Sequence, residues 1–138
     1  MYVIVVLHVL GACIWVGGHL ILSLRFTPQA WRTKQSNELL SFEQRYEVLG
    51  MAALLLQVAT GFHLASRYSL NMRDWFDPNQ PVLHVIGLKL LLLLALILIA
   101  AHARFRVLPN IERFGVRFFI VHVWLVTLIS VTFVMLGV

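Results

Sequence analysis

The sequence predicts an all-α fold: an integral-membrane, antiparallel four-helix bundle of up-down-up-down topology. Three observations predict it. The chain of 138 residues is 60% hydrophobic and only 12% charged, with a mean hydropathy of +0.86. Soluble domains are about half apolar and a quarter charged, so this chain cannot cover itself with a polar surface and takes lipid as its solvent. Four apolar runs each approach the roughly 20 residues needed to cross a bilayer core. The basic residues lie in short stretches between those runs.

One domain is expected over residues 1–138. The first span, about 2–24, is read as a retained helix rather than a cleaved signal, because no basic residue precedes it and no small-residue cleavage site follows. The second span is about 46–68, the third about 82–105 and the fourth about 115–137. Pro28, Pro78, Pro81 and Pro109 all fall in the connections, where a missing N–H does not break a helix. The runs are too long and too uniformly apolar for barrel strands.

Short connections make neighbouring helices antiparallel, with both termini on one side. The opposite side carries or adjoins Arg25, Arg32, Lys34, Arg45, Arg104, Arg106, Arg113 and Arg117, whereas the side with the termini has Arg67 and Arg73 beside Asp74 and Asp77. The positive-inside rule therefore places the termini in the periplasm and the chain in a bacterial inner membrane as a multi-pass protein. It also accounts for the net charge of +5. No basic stripe interleaved with aromatics suits nucleic acid. The single cysteine, Cys13, forms no framework within the chain.

All six histidines fall inside the expected spans. Ionisable groups are costly in a bilayer and mark functional sites. At about 1.5 Å of rise per residue, His8, His63 and His84 sort to the periplasmic half, and His19, His102 and His122 to the cytoplasmic half. His8 and His19 are about three turns apart on nearly one face of the first helix, near Gly11, Trp15 and Gly18. Small residues there let a flat ring or another helix approach. His84 and His102 share a stripe of the third helix with Leu88, Leu91 and Ala95.

Neutral imidazole ligates iron, copper and zinc. Two histidines on different helices at matched depth suit b-type haem, and two such haems, one per leaflet, would carry electrons across the membrane. The metal ligands expected are His8 with His63 and His19 with His122. The alternative axial pairs are His8 with His84 and His19 with His102, and the sequence does not choose between them. Histidines left free, and Lys89, suit haem propionates; Lys89 equally suits snorkelling to the interface. The partners expected are the lipid bilayer and either quinol, superoxide or a periplasmic redox protein, which makes an oxidoreductase of cytochrome b type one reading. Oligomers are compatible with it. Copper is the alternative occupant, although Met51, Met72, Met135 and Cys13 form no thioether cluster. No C-x-x-C-H attachment motif is present, which argues against covalent c-type haem.

Several of these residues resemble the copper-resistance protein D (CopD-like) membrane family. They are His8, Gly11, Trp15, Gly17 and Gly18 in the first helix, Thr60-Gly61 with Leu64-Ala65 in the second, Lys89-Leu90 opening the third, and the exit at 104–112. The chain is also similar to HemJ-type haem-binding protoporphyrinogen oxidases through His8, Trp15 and Gly17, and through Lys89 with the later His102. It departs from them in a longer lysine-to-histidine spacing and in Ala101-His102 where those proteins have Tyr-His. The first resemblance implies copper handling at an inner membrane, and the second implies haem b.

Overall fold

A computed structural model describes residues 1–137. All regular elements among the described residues are helical. α1 spans Tyr2–Ile21, runs into a π-helical turn at Leu22–Phe26 and continues as α2, Thr27–Thr33. α3 spans Asn37–Ser66. A 3-10 turn at Asp74–Phe76 leads to α4, Pro81–His102, which enters a second π-helical turn at Ala103–Val107. A 3-10 turn at Leu108–Asn110 and α5, Ile111–Phe114, precede α6, Val116–Met135.

Four continuous helical segments, Tyr2–Thr33, Asn37–Ser66, Pro81–Phe114 and Val116–Met135, are long and apolar enough to cross a membrane. They contain the four expected spans almost entirely, but three of them run further. The stretch expected to connect the first two spans is helical except at residues 34–36. Hydropathy reports the length that lipid must cover, and a helix continues past that length wherever its polar residues meet water. Lys34 (φ 57°) and Gly115 (φ 82°) end the two long segments in left-handed or glycine-type backbone. Gly115 suits its position because a Cβ disfavours positive φ.

Pro28 and Pro109 lie within helical turns, each just beyond a π-helical turn. Proline removes the donor to the carbonyl four residues back and crowds it. The wider π turn accommodates that crowding. The two turns form a repeat. Leu22–Phe26 and Ala103–Val107, Pro28 and Pro109, and Lys34 and Gly115 are pairs separated by one constant spacing, which also relates Ser23 to Arg104, Arg25 to Arg106 and Arg32 to Arg113.

The spanning helices meet in one central layer of Trp15, Ala53, Leu96 and Val126, one residue from each. A second cluster, including Leu22, Leu39, Val107, Phe119 and Ile120, joins both π turns to α3 and α6. α1 packs along α3 and α6, and α6 packs along α4. Large apolar side chains such as Leu24, Leu55, Leu94 and Leu128 stay on the outside, as a lipid-facing surface requires.

Candidate functional site

Helical register from the central layer locates the interior positions. Residues four or seven apart share a face. His19 is one turn from Trp15, and His122 is one turn from Val126 toward the same end of the bundle. Seven residues the other way from Trp15 and Ala53 stand His8 and Thr60. Lys89 is seven residues from Leu96 on the same stripe of α4.

Three of these histidines are fixed by their Nδ1 atoms. His19 Nδ1 is 2.9 Å from the Trp15 carbonyl and His122 Nδ1 is 2.9 Å from the Phe118 carbonyl. A carbonyl only accepts, so each Nδ1 carries the proton and donates. His8 Nδ1 lies 2.8 Å from Thr60 Oγ1. Thr60 donates its own hydroxyl to the Leu56 carbonyl at 2.6 Å, so it accepts from His8. Gln57 also donates its side-chain amide to the His8 carbonyl. In all three rings the neutral form then keeps its lone pair on Nε2.

His102 and His122 meet directly, with 2.9 Å between His102 Nδ1 and His122 Nε2. Their rings stack at a centroid distance of 5.0 Å and an angle of 20°. Because His122 Nε2 is bare, His102 Nδ1 donates to it. His19 packs at 4.3 Å from the Trp15 ring and edge-on to Tyr46 at 5.7 Å. Tyr46 donates to the carbonyls of Trp15 and Ile14, at 3.0 and 3.1 Å.

The structure thus brings His8 to Thr60, His19 to Tyr46 and His102 to His122. His63 is exposed at the end of α3. His84 is half-buried, and its Nδ1 is enclosed without a hydrogen-bond partner among the described residues. The shared stripe of His84 and His102 turns largely outward, since Leu88, Leu91 and His102 are exposed. Lys89 reaches the end of α6, with its Nζ beside Gly137, where helix carbonyls attract a cation. Among the described residues no three His, Cys, Asp or Glu side chains converge as a metal site.

Gly11 and Gly18 of the first helix admit α3. A Cβ at Gly11 would meet the Ala53 carbonyl and Gln57 at 3.2 Å, and one at Gly18 would collide with the Tyr46 ring. The flat group lying against this stripe is therefore Tyr46, which sequence reasoning missed. Its signal was present: Tyr46, Ala53 and Thr60 recur every seventh residue, one face of a helix.

No family model, curated protein or solved structure matches the chain.

Proposed function

We propose that the protein is a b-type haem protein of a bacterial inner membrane that carries electrons between quinol or a small oxidant, such as superoxide, and a periplasmic redox partner. The observation that carries this reading is the common state of His8, His19 and His122. Each is on an interior face, with its Nδ1–H donated to an oxygen and its Nε2 lone pair free of its own proton. Metal-bound histidines are held in this way, because the outer hydrogen bond fixes the tautomer and raises the ligand's basicity. Two imidazoles on a haem iron supply single-electron transfer. His19 and His122 are the inner pair in this reading. His8 is one outer ligand, with His63 or His84 as the other. The carbonyls of Trp15 and Phe118 orient the inner rings. Lys89 and the cytoplasmic arginines are available to propionates in this reading.

The bundle in this reading is antiparallel, with both termini in the periplasm. The order of contacts supports it: His8 meets Thr60 and Gly18 meets Tyr46, while Trp15 meets Ser130 and Thr27 meets Trp124. The basic residues beside both π turns, and Arg117 over the stacked Trp31 and Trp124, suit a cytoplasmic interface.

A second reading, in line with the CopD-like resemblance, is copper at the His102–His122 pair, where two ring nitrogens already meet. One preparation separates the two. The protein purified in detergent is expected to show a reduced-minus-oxidised α band and about two irons per chain for two bis-histidine haems. His19→Ala should remove one haem population and leave the other. Copper without a Soret band would overturn the haem reading.

A further inference from the structure

We propose, independently of the haem reading, that Arg117 and the stacked indoles of Trp31 and Trp124 form a site for one anionic phospholipid. The lipid's phosphate lies on the guanidinium, and an acyl chain lies along α6.

Two segments distant in sequence build the platform. Trp31 and Trp124 stack at a centroid distance of 5.2 Å and an angle of 26°. Thr27 donates its hydroxyl to the Ser23 carbonyl at 2.6 Å and accepts from Trp124 Nε1 at 2.9 Å, which fastens α2 to α6. Arg117 sits on this platform. Its guanidinium carbon is 5.1 Å from the centre of the Trp31 ring, and its Nε donates to the Trp31 carbonyl at 3.2 Å. One nitrogen thus orients the cation, while the Nη pair has no hydrogen-bond or ion-pair partner among the described residues. Two parallel N–H groups on a planar fork match the oxygens of a phosphate.

Arg104 gives the contrast. It is 2.7 Å from Glu47, so its charge is answered within the protein. No carboxylate answers Arg117 among the described residues. In the segments 31–34 and 112–117, Arg32, Lys34, Arg113 and Arg117 stand against Glu112 alone, and all five are exposed. An excess of this sign attracts a headgroup of net negative charge and repels the ammonium of a zwitterionic one.

The face of α6 that continues from Arg117 supplies the apolar part. Val121, Trp124, Leu125 and Leu128 follow at helical spacing, and all are exposed. From residue 117 to residue 128 the helix rises about 16 Å, roughly the depth of one leaflet of the hydrocarbon core. A cation at one end of an apolar strip of that length fits a phospholipid, whereas a free phosphate would use the cation alone.

Native mass spectrometry of the full chain in detergent tests this. Offered equal amounts of phosphatidylglycerol and phosphatidylcholine, wild-type protein should retain phosphatidylglycerol first. Arg117→Gln should lower the ratio of the two retained lipids about fivefold, the effect of one arginine near a membrane surface. Arg117→Lys keeps the charge without the fork and should lose part of that preference. Arg106→Gln removes an arginine that is also exposed but has no aromatic ring beneath it among the described residues, and should leave the ratio nearly unchanged. Equal retention of the two lipids by wild type overturns the proposal. Equal losses in Arg117→Gln and Arg106→Gln also overturn it, because a diffuse field of the whole basic end would then set the preference. Glycerol phosphate, which carries the anion without acyl chains, should fail to displace phosphatidylglycerol at matched concentration. Displacement by it overturns the lipid as the occupant.

Discussion

The α1–α6 seam and the α3–α4 side of the bundle are joined by different chemistry. Along the first, neutral donors close the contact. Trp15 Nε1 donates to Ser130 at 3.0 Å, Ser23 and Thr127 hydroxyls lie 2.6 Å apart, and Trp124 Nε1 donates to Thr27 at 2.9 Å. α3 and α4 approach each other at few positions. At the end near the two π turns Arg104 is 2.7 Å from Glu47 and 4.0 Å from Glu43. At the other end Phe62 lies 6.3 Å from Trp75, in the 3-10 turn that packs on α4. Ser23 and Arg104 occupy equivalent places in the two π turns, so one repeat closes with a hydroxyl and the other with a charge. Neutral bonds suit hydrocarbon depth, where a charge would be expensive. An ion pair suits the boundary, where water solvates it and salt screens it.

The largest effect expected is at the central layer, where the first seam is anchored. Trp15→Ala should destabilise the protein by about 3–5 kcal/mol, because a buried indole leaves a cavity. Trp15→Phe keeps most of the volume and should cost about 0.6–1.7 kcal/mol, the range for one hydrogen bond between membrane helices. Equilibrium unfolding in mixed detergent reads both. Equal costs would mean that the Ser130 bond, and not the packing, holds the layer.

Next in size is the contrast between the seams themselves. Thr127→Val removes the partner of Ser23 and should cost up to about 1.7 kcal/mol at any ionic strength. Arg104→Gln should cost about 0.2–1 kcal/mol at low salt, since Arg104 is substantially exposed. That cost should fall as salt rises. Unfolding midpoints of the two variants across a salt series check the comparison. A salt-sensitive Thr127→Val or a salt-insensitive Arg104→Gln would break it.

The membrane class and the four spans were legible because partition between oil and water acts on composition. So was the shared face of His8 and His19, which helical period dictates and which α3 covers through Thr60 and Tyr46. The direction of the His84–His102 stripe was not legible. In lipid both the inner and outer faces of a helix are apolar, so period shows that residues share a face without showing which way it points. The same lack of contrast concealed Tyr46 as the ring between Gly18 and Gly50. The burial of Trp75 was hidden for another reason. A short turn full of Asp, Asn and Pro reads as solvent-exposed, yet this indole is covered and donates to the Ser69 carbonyl at 3.2 Å.

That turn gives the smallest effect and tests the end of the α3–α4 side where Trp75 packs. Asp77 follows Trp75 and Phe76, and its carboxylate accepts from the Asn79 backbone N–H and side-chain amide, both at 2.9 Å. These bonds favour the ionised form and hold Asp77 below the ordinary carboxylate value of 3.8, with the backbone bond the larger cause. A group whose pKa is lowered on folding contributes stability that is fully present above its unfolded value. That contribution is lost as pH falls through the folded value. The turn should therefore be indifferent to pH from neutrality down to about 4 and loosen only below that. Carbon-13 NMR titration of the Asp77 carboxyl should give a midpoint under the ordinary value. Asn79→Ala should move that midpoint part of the way back, because the side-chain amide is lost and the backbone N–H remains. Exchange of the Trp75 indole proton should quicken over the same acid range. If the midpoint of Asp77 is ordinary, or if the Trp75 proton is indifferent to it, this end of the bundle depends on the packing of Trp75 and not on the Asp77 bonds beside it.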